Sequence, residues 1–143
     1  MDNRSKEQRS VNMSHIHSKN TKLEERVGKY LFSMGFRYRK NVTSLPGKPD
    51  IVLRKYKTVI FVNGCFWHHH QDCKYATIPK SNTVFWMEKF RRNMDNDIKH
   101  NNELSSLGWN VITVWDCKLK KEYFTETMDS VVDELRSLGS LKK

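Results

Sequence analysis

The chain has 143 residues, which is enough for one globular domain and too few for two of ordinary size. It carries 26 basic and 16 acidic side chains, a formal net charge of +10, and this excess indicates a polyanionic partner, nucleic acid before anionic lipid. No apolar run predicts a membrane span, and the polar first residues do not resemble a signal peptide. Three cysteines, an odd number, suit a reducing compartment better than a disulfide framework.

The first 20 residues show no apolar periodicity. Basic side chains lie there among serine, asparagine and glutamine, namely Arg4, Lys6, Arg9 and Lys19. This composition predicts a basic arm over residues 1–20 that becomes ordered on binding. A single domain over residues 21–143 is expected to follow.

The later elements are predicted from hydrophobic spacing. Apolar residues at helical spacing predict a helix from Thr21 to Met34, ended by Gly35. Strands are predicted near Phe36–Arg39, at 50–53 after the turn at 45–49, and at 58–62. A helix follows over 83–107, with Phe90, Met94, Ile98 and Leu104 at roughly helical spacing, then a strand over 109–115 and a helix over 123–138. This order predicts an α/β sandwich with a central mixed sheet flanked by helices.

Cysteine and histidine residues indicate a closed metal site. Cys65, His70 and Cys73 lie within nine residues, and Cys117 follows a predicted strand. Three thiolates and one imidazole complete a tetrahedral set for structural zinc, although the spacing is not that of a standard finger. Because His68, His69 and His70 are consecutive, the identity of the histidine ligand stays open. So does the alternative that the cysteines are ordinary small hydrophobic residues.

Carboxylates indicate a second metal site. Asp50 opens a predicted strand, and Glu24 lies in the helix before it. Such oxygen ligands can converge on magnesium, which keeps several waters, one of them a possible nucleophile. On these two residues alone, a turn aspartate and a charge at a helix start remain the plainer interpretation.

Several longer runs of the sequence carry a resemblance to a known family. They are Asn12–Ser14, Lys19–Thr21, Leu45–Asp50, Val59–His68, Phe85–Trp86, Asn93, Asp97, Leu107–Trp109 and Val114–Cys117, and the similarity extends from about Arg9 to Lys118. Together these runs resemble the very short patch repair endonuclease family. The resemblance implies the restriction-endonuclease-like PD-(D/E)XK fold, a three-layer sandwich. It also implies a magnesium-dependent DNA mismatch endonuclease that nicks the thymine strand at T:G mismatches left by deamination of 5-methylcytosine.

The resemblance further implies roles for individual residues. Asp50 and the Val62 main-chain carbonyl would bind catalytic Mg²⁺, expected as two ions, and Glu24 would hold metal-bound water. His68 would act as general base or orient the water, paired with Asp97. Such a pairing makes chemical sense because a carboxylate fixes the imidazole tautomer and raises its basicity.

Metal and DNA contacts are implied in the same way. The family's structural Zn²⁺ set matches Cys65, His70, Cys73 and Cys117, with one extra residue between His70 and Cys73. Residues matched to the family's wedge beside the mismatch are Phe66, Trp67 and Trp86, and those matched to its contacts with the mismatched bases are Met13, Lys89 and Asn93. Spacing alone leaves open that the three rings belong to the core, as expected for Trp109 and Trp115.

Two other functions remain open from the sequence. Asn63 stands where the family commonly has histidine, so a restriction-type nicking endonuclease with a different target is one alternative. As in the family, no Asp/Glu-x-Lys follows Asp50, which implies that histidine chemistry replaces the superfamily's lysine. A catalytically silent, zinc-stabilised module that binds DNA lesions is the other. By resemblance, the expected partners are double-stranded DNA with a T:G mismatch and other repair factors. No association with a membrane is expected. A monomer in the bacterial cytoplasm is expected.

Overall fold

The computed structural model describes residues 21–71 and 73–141, so the predicted arm and Met13 lie outside the described residues. The helices are α1 (Thr21–Ser33), α2 (Thr83–Ser106) and α3 (Phe124–Leu141). The strands are β1 (Arg39–Lys40), β2 (Ile51–Leu53), β3 (Thr58–Asn63) and β4 (Asn110–Trp115). Short 3₁₀ turns follow β2 and β4. The predicted order of helices and strands is confirmed.

The four strands form one mixed sheet in the order β1-β2-β3-β4. The pairs β1–β2 and β2–β3 are antiparallel, whereas β3 and β4 are parallel, with Val62 opposite Val114. A parallel pair needs a long crossover, and α2 lies within it. The crossover places the segment after β3, which is rich in histidine and aromatic residues, directly before α2.

Helices cover both faces of the sheet, because alternate strand residues point to opposite sides. Ile51 and Ile60 belong to a large core shared with Leu31 of α1 and Met128 of α3. On the opposite face, Val52 and Val59 pack in a smaller core with Leu104 of α2. The structure is therefore the three-layer sandwich expected for the fold.

The strand predicted around Phe36–Arg39 is largely wrong. Only Arg39 and Lys40 pair with β2, whereas Phe36 is 4% exposed and packs in the large core. Gly35, at φ +93°, turns the chain after α1 so that Phe36 can enter this core. The alternation of Phe36 and Tyr38 with arginines therefore reflects core entry, not a long strand.

The apolar pattern of α2 is only partly used by the core. Phe90 and Leu104 are 2% and 0% exposed, whereas Met94 and Ile98 are 36% and 60% exposed. The helical spacing of these four residues is confirmed, but only the first and the last of them are buried. Within residues 21–71 and 73–141, no helix is long and apolar enough to span a lipid bilayer.

Candidate active site and metal centre

Asp50 is a buried carboxylate held at the end of the central strand. It is 5% exposed, and its Oδ2 accepts a hydrogen bond of 2.7 Å from the backbone N–H of Val62. In an extended strand, the N–H and the carbonyl of one residue point to the same side of the strand. The Val62 carbonyl therefore faces the same side as Asp50. Carboxylate and carbonyl oxygens fit the ligand preference of magnesium, so this donor set is suited to the predicted ion.

Glu24 lies at the same end of the sheet. It is 4% exposed and shares a helix face with Val27 and Leu31, which pack in the large core. The Arg26 guanidinium donates to the carbonyl of Leu119, just after the turn that follows β4. The first turns of α1 therefore lie where β3 and β4 end. A buried carboxylate here differs from the exposed charge expected at an ordinary helix start.

His68 and Asp97 form a hydrogen-bonded pair across two elements. The His68 Nδ1 lies 2.7 Å from Oδ2 of Asp97 on α2, and both side chains are partly exposed to solvent. The backbone N–H of His68 donates to the carbonyl of Gly64, so the loop turns directly after β3. When the carboxylate accepts a hydrogen bond from the Nδ1–H, the neutral imidazole presents Nε2 as an acceptor. This arrangement is suited to take a proton from water.

Asn63 ends β3 between the two groups. It is 8% exposed and lies opposite Trp115 in the β3–β4 pair. An amide can donate a hydrogen bond there, but it cannot carry a proton at neutral pH. Asn63 therefore cannot serve as a general acid or base at this end of β3.

The three predicted wedge residues lie together beside this site. Each pair among these three rings has a centroid separation of 5.4–5.9 Å, and the residues are Phe66, Trp67 and Trp86. The ring of Phe90 packs against that of Phe66, with their centroids 5.2 Å apart. Phe90 is buried, whereas the three wedge candidates are half-buried. We call these four residues the aromatic cluster. Its partial exposure suits contact with a flat ligand.

Lys89 and Asn93 flank the aromatic cluster on α2. The ammonium of Lys89 lies 5.9 Å from the ring centroid of Trp67. The Asn93 Nδ2 donates to the Trp67 carbonyl at 2.8 Å, which fixes the backbone next to His68. The hydrogen bond between Asn93 and Trp67 was not predicted from the sequence.

The cysteine and histidine side chains meet as a metal centre. The ligand atoms of Cys65, His70, Cys73 and Cys117 all lie within 4.8 Å of one another. The His70 Nδ1 is 3.6 Å from Sγ of Cys65 and 3.4 Å from Sγ of Cys117. Tetrahedral zinc with sulfur and nitrogen ligands requires ligand separations of roughly 3.5–3.8 Å. The four side chains therefore form a group that can hold a metal ion, and the donor set fits zinc.

The electrostatics of this centre also favour a cation. Burial raises the pKa of the Cys65 thiol to about 12, and burial likewise raises the pKa of Cys117. Burial lowers the pKa of His70, which disfavours an imidazolium among the sulfurs. Neutral imidazole is the form that binds a metal. A bound cation would stabilise the thiolates that burial disfavours in its absence.

The structure separates the three consecutive histidines. The His70 ring faces the sulfurs and stacks on Trp115 at 4.0 Å, whereas the His69 ring stacks on Phe90 at 4.6 Å and that of His68 turns to Asp97. Trp115 therefore covers a candidate metal ligand, a role that strand packing alone did not predict. The signal for it was its position two residues before Cys117.

The fold and this site together define a class. A mixed sheet between helical layers, with carboxylates and a paired histidine where the central strands end, is the arrangement of a restriction-endonuclease-like protein. The sequence model of the DNA mismatch endonuclease Vsr family matches residues 1–75. Longer alignments with individual relatives extend this match.

Three relatives carry the comparison over most of the chain. The type II nicking enzyme V.NmeAIP of Neisseria meningitidis serogroup A is 53% identical over 129 residues, 90% of this chain and 91% of the relative. The DNA mismatch endonuclease Vsr of Escherichia coli is 40% identical over 127 residues, 85% and 81% of the two chains. The type II nicking enzyme V.XorIIP of Xanthomonas oryzae is 41% identical over 118 residues, 82% and 86%. The chain belongs to the Vsr family of DNA mismatch endonucleases.

Proposed function

We propose that the protein is a magnesium-dependent endonuclease that nicks the thymine strand of DNA at T:G mismatches. The observation that carries this proposal is the placement of Asp50 and of the His68–Asp97 pair at the same end of β3. A DNA-binding module without catalysis needs neither a fixed carboxylate nor an oriented histidine. The relative from Escherichia coli, whose name is that of a mismatch endonuclease, supports the same activity.

The metal would be held by Asp50 and the Val62 carbonyl, with Glu24 holding coordinated water. Magnesium would supply an activated water and neutralise charge on the phosphate. The hydrogen bond from Val62 keeps Asp50 in one orientation before any ion binds. A ligand oriented in advance loses little conformational freedom when it binds its ion.

His68 would take the proton from the attacking water through Nε2, because its Nδ1 is engaged by Asp97. Asp97 keeps the imidazole in that tautomer and stabilises the imidazolium formed as the proton arrives. Asn93 supports this pair indirectly, because its hydrogen bond to the Trp67 carbonyl fixes the backbone next to His68. His68 thus stands in for the lysine used by many restriction-type nucleases.

Phe66, Trp67 and Trp86 of the aromatic cluster would enter the base stack beside the mismatch. A T:G wobble pair is already weak, so opening it costs less free energy than opening a matched pair. Half-buried rings supported by Phe90 can be inserted without losing their own packing. Lys89, beside Trp67, and Asn93 would lie near the mismatched bases, as would Met13.

The metal centre would hold structural Zn²⁺ and stabilise the loop that carries these groups. Cys65 and His70 bracket the segment from Phe66 to His69, and Cys117 ties it to the end of β4. This segment has few residues in either core, so a metal would replace the packing it lacks.

The proposed specificity is tested with end-labelled duplexes that differ in one base pair. We expect a T:G duplex to be nicked only on the thymine strand and only with magnesium, and a C:G duplex of the same sequence to stay intact. Cutting of matched and mismatched duplexes at equal rates would favour a restriction-type nicking enzyme. Asn63 and the relatives named as type II nicking enzymes give that alternative its support. Binding without cleavage under all conditions would contradict both enzymatic proposals.

A further inference from the structure

Trp115 lies against two histidines that belong to different sites of the proposed enzyme. Its indole stacks on the imidazole of His70, with the ring centroids 4.0 Å apart and an angle of 8° between the planes. The same indole meets the ring of His68 nearly at a right angle, at 6.4 Å and 74°. Stacked and edge-to-face pairs of aromatic rings both attract one another. One tryptophan therefore connects the candidate metal centre with the candidate general base.

Trp115 is the rigid member of this group of three rings. It ends β4, where it lies opposite Asn63 of β3, and Val114 before it is 3% exposed in the large core. Side chains alternate along a strand, so Trp115 faces the same side of the sheet as Val111, the side that α2 covers. The two histidines lie on the loop after β3. Groups on a strand are positioned more precisely than groups on a loop, so the indole can orient both imidazoles.

The hydrogen bond to Asp97 does not by itself fix the ring of His68. It holds Nδ1 at 2.7 Å from the carboxylate oxygen, but the imidazole plane can still turn about the line between these two atoms. The side chains of His68 and Asp97 are 20% and 29% exposed, which leaves room for that movement. The edge-to-face contact with Trp115 restricts the plane of the ring. It thereby restricts the direction in which Nε2 accepts a proton.

The metal centre acts on Trp115 through His70. The His70 Nδ1 lies 3.6 Å from Sγ of Cys65 and 3.4 Å from Sγ of Cys117, so this nitrogen is the one that would bind the ion. Metal coordination and the outer contacts of a ligand histidine together fix the orientation of its ring. Because the indole is nearly parallel to this ring, an ordered His70 holds the indole in one position. Loss of the ion would release both rings together.

We propose that Trp115 is a positioning residue for the His68 imidazole, and that its stack on His70 makes this positioning depend on zinc at the metal centre. Asp97 and Trp115 then control different properties of His68. The carboxylate sets the tautomer, whereas the indole sets the plane of the ring. The effect on cleavage rests on the proposed nuclease function, whereas the position of the ring does not.

The first test observes the His68 ring directly, by NMR of the full chain with ¹⁵N-labelled histidine. The ring current of the indole shifts the His68 ring protons, and the ring ¹⁵N signals report the tautomer. Trp115→Leu, loaded with zinc, should shift these protons and leave the ¹⁵N pattern of the tautomer as in the wild type. Treatment with a chelator should shift the same protons in the wild type, but much less in Trp115→Leu, where the connection to His70 is already lost.

The second test separates the chemical step from binding. At saturating enzyme, Trp115→Leu should nick a T:G duplex about tenfold to about a hundredfold more slowly than the wild type, because small displacements of a reacting group cost this much. Affinity for the duplex should stay within about threefold, the pattern expected when only the chemical step is affected. Trp115→Phe keeps a ring on His70 and should recover part of the rate. If the leucine variant does not fold, the phenylalanine variant should show a smaller loss in the same direction.

Trp109→Leu is the matched control for both tests. Trp109 begins the same stretch of chain that Trp115 ends, and it packs against the smaller core and the ammonium of Lys57 at the far end of β4. This variant should leave the His68 ring protons and the nicking rate as in the wild type. A wild type that cuts no duplex would refute the nuclease function, and the NMR comparison would still decide the role of Trp115.

Three results would overturn the proposal. His68 ring protons that are the same in Trp115→Leu and in Trp109→Leu would reduce Trp115 to ordinary strand packing. Equal shifts on removal of zinc in the wild type and in Trp115→Leu would show that the metal acts on His68 without the indole. Weaker binding of the duplex with an unchanged rate at saturation would assign the indole to DNA contact.

Discussion

At the scale of single residues, the hydrogen bond between His68 and Asp97 has the clearest chemical consequence. It joins a loop side chain to a helix side chain at 2.7 Å and selects one tautomer of the imidazole. The two residues are 29 positions apart. Their proximity could be expected from the family resemblance, but not from the spacing of the residues themselves.

Asp97→Asn should slow cleavage by about 10² to 10⁴-fold, the range typical for loss of general-base support. An amide can donate to the imidazole and favour the wrong tautomer, while the shape of the side chain is kept. The measurement is the single-turnover nicking rate of a T:G duplex at saturating enzyme. Asp95→Asn, an exposed neighbour on α2, is the matched control and should cut at the wild-type rate. Equal rates for the two variants would remove Asp97 from the mechanism.

Gly47 is a second residue whose position matters for the site. It has φ +73° in the loop before Asp50, and an added Cβ would lie 2.9 Å from Cβ of His100 on α2. This contact sets how closely the loop that carries Asp50 approaches the helix that carries Asp97. No sequence pattern revealed it, since a glycine in a turn is expected for backbone reasons alone.

Gly47→Ala should destabilise the fold by about 2–3 kcal/mol, from backbone strain together with the clash. Gly35→Ala is the control, because Gly35 also has positive φ, +93°, but no heavy atom lies within 4 Å of an added Cβ. That variant should lose only about 1 kcal/mol. The free energies of unfolding come from urea titrations. A Gly47 variant as stable as the Gly35 variant would show that His100 can move away from the added Cβ without loss of stability.

At the scale of secondary structure, the long, periodic elements could be predicted from the sequence. The pattern over 83–107 corresponds to α2 within a residue, and the β-branched run at 58–62 corresponds to β3. Both are specified by local periodicity that agrees with their burial. Helix α3 begins one residue later than predicted and continues to Leu141.

The short and irregular elements could not be predicted as well. Phe36 was assigned to a strand because it alternates with arginine, yet it enters the core through the turn at Gly35. The exposure of Met94 and Ile98 also depends on which side of α2 the sheet covers, which spacing within one helix does not determine. In both cases, tertiary packing decided between interpretations that the local pattern allowed.

The loop between β3 and α2 provides the element-scale prediction. His70→Asn should lower bound zinc from about one equivalent to near zero and loosen the loop, because a tetrahedral site with three protein ligands is open. His69→Asn is the matched control, since its ring stacks on Phe90 and not on the sulfurs. Zinc is measured by mass spectrometry of the metal and loop order by amide exchange. Loss of zinc in the His69 variant, with zinc retained in the His70 variant, would show that His69 and not His70 is the zinc ligand.

At the scale of the whole molecule, we expect the net charge of +10 to govern association with DNA. Contacts between basic side chains and phosphates release counterions, so affinity should fall steeply with salt. Between about 50 and about 200 mM salt, we expect a loss of about a thousandfold or more for mismatched and matched duplexes alike. Anisotropy titrations of a labelled duplex measure this slope. An affinity that hardly changes over this range would show that charge contributes little to binding.

The proposed mechanism depends on Asp50 holding the catalytic ion next to His68. The most direct measurement compares the wild type, Asp50→Ala and, as control, Asp133→Ala, which changes an exposed carboxylate on α3. Each protein is assayed for single-turnover nicking and for binding of the same T:G duplex in magnesium. We expect Asp50→Ala to bind within a few-fold of wild type and to cut at least about a thousandfold more slowly, a barrier increase of about 4 kcal/mol. Cutting by Asp50→Ala within tenfold of the Asp133 control would contradict the proposed mechanism.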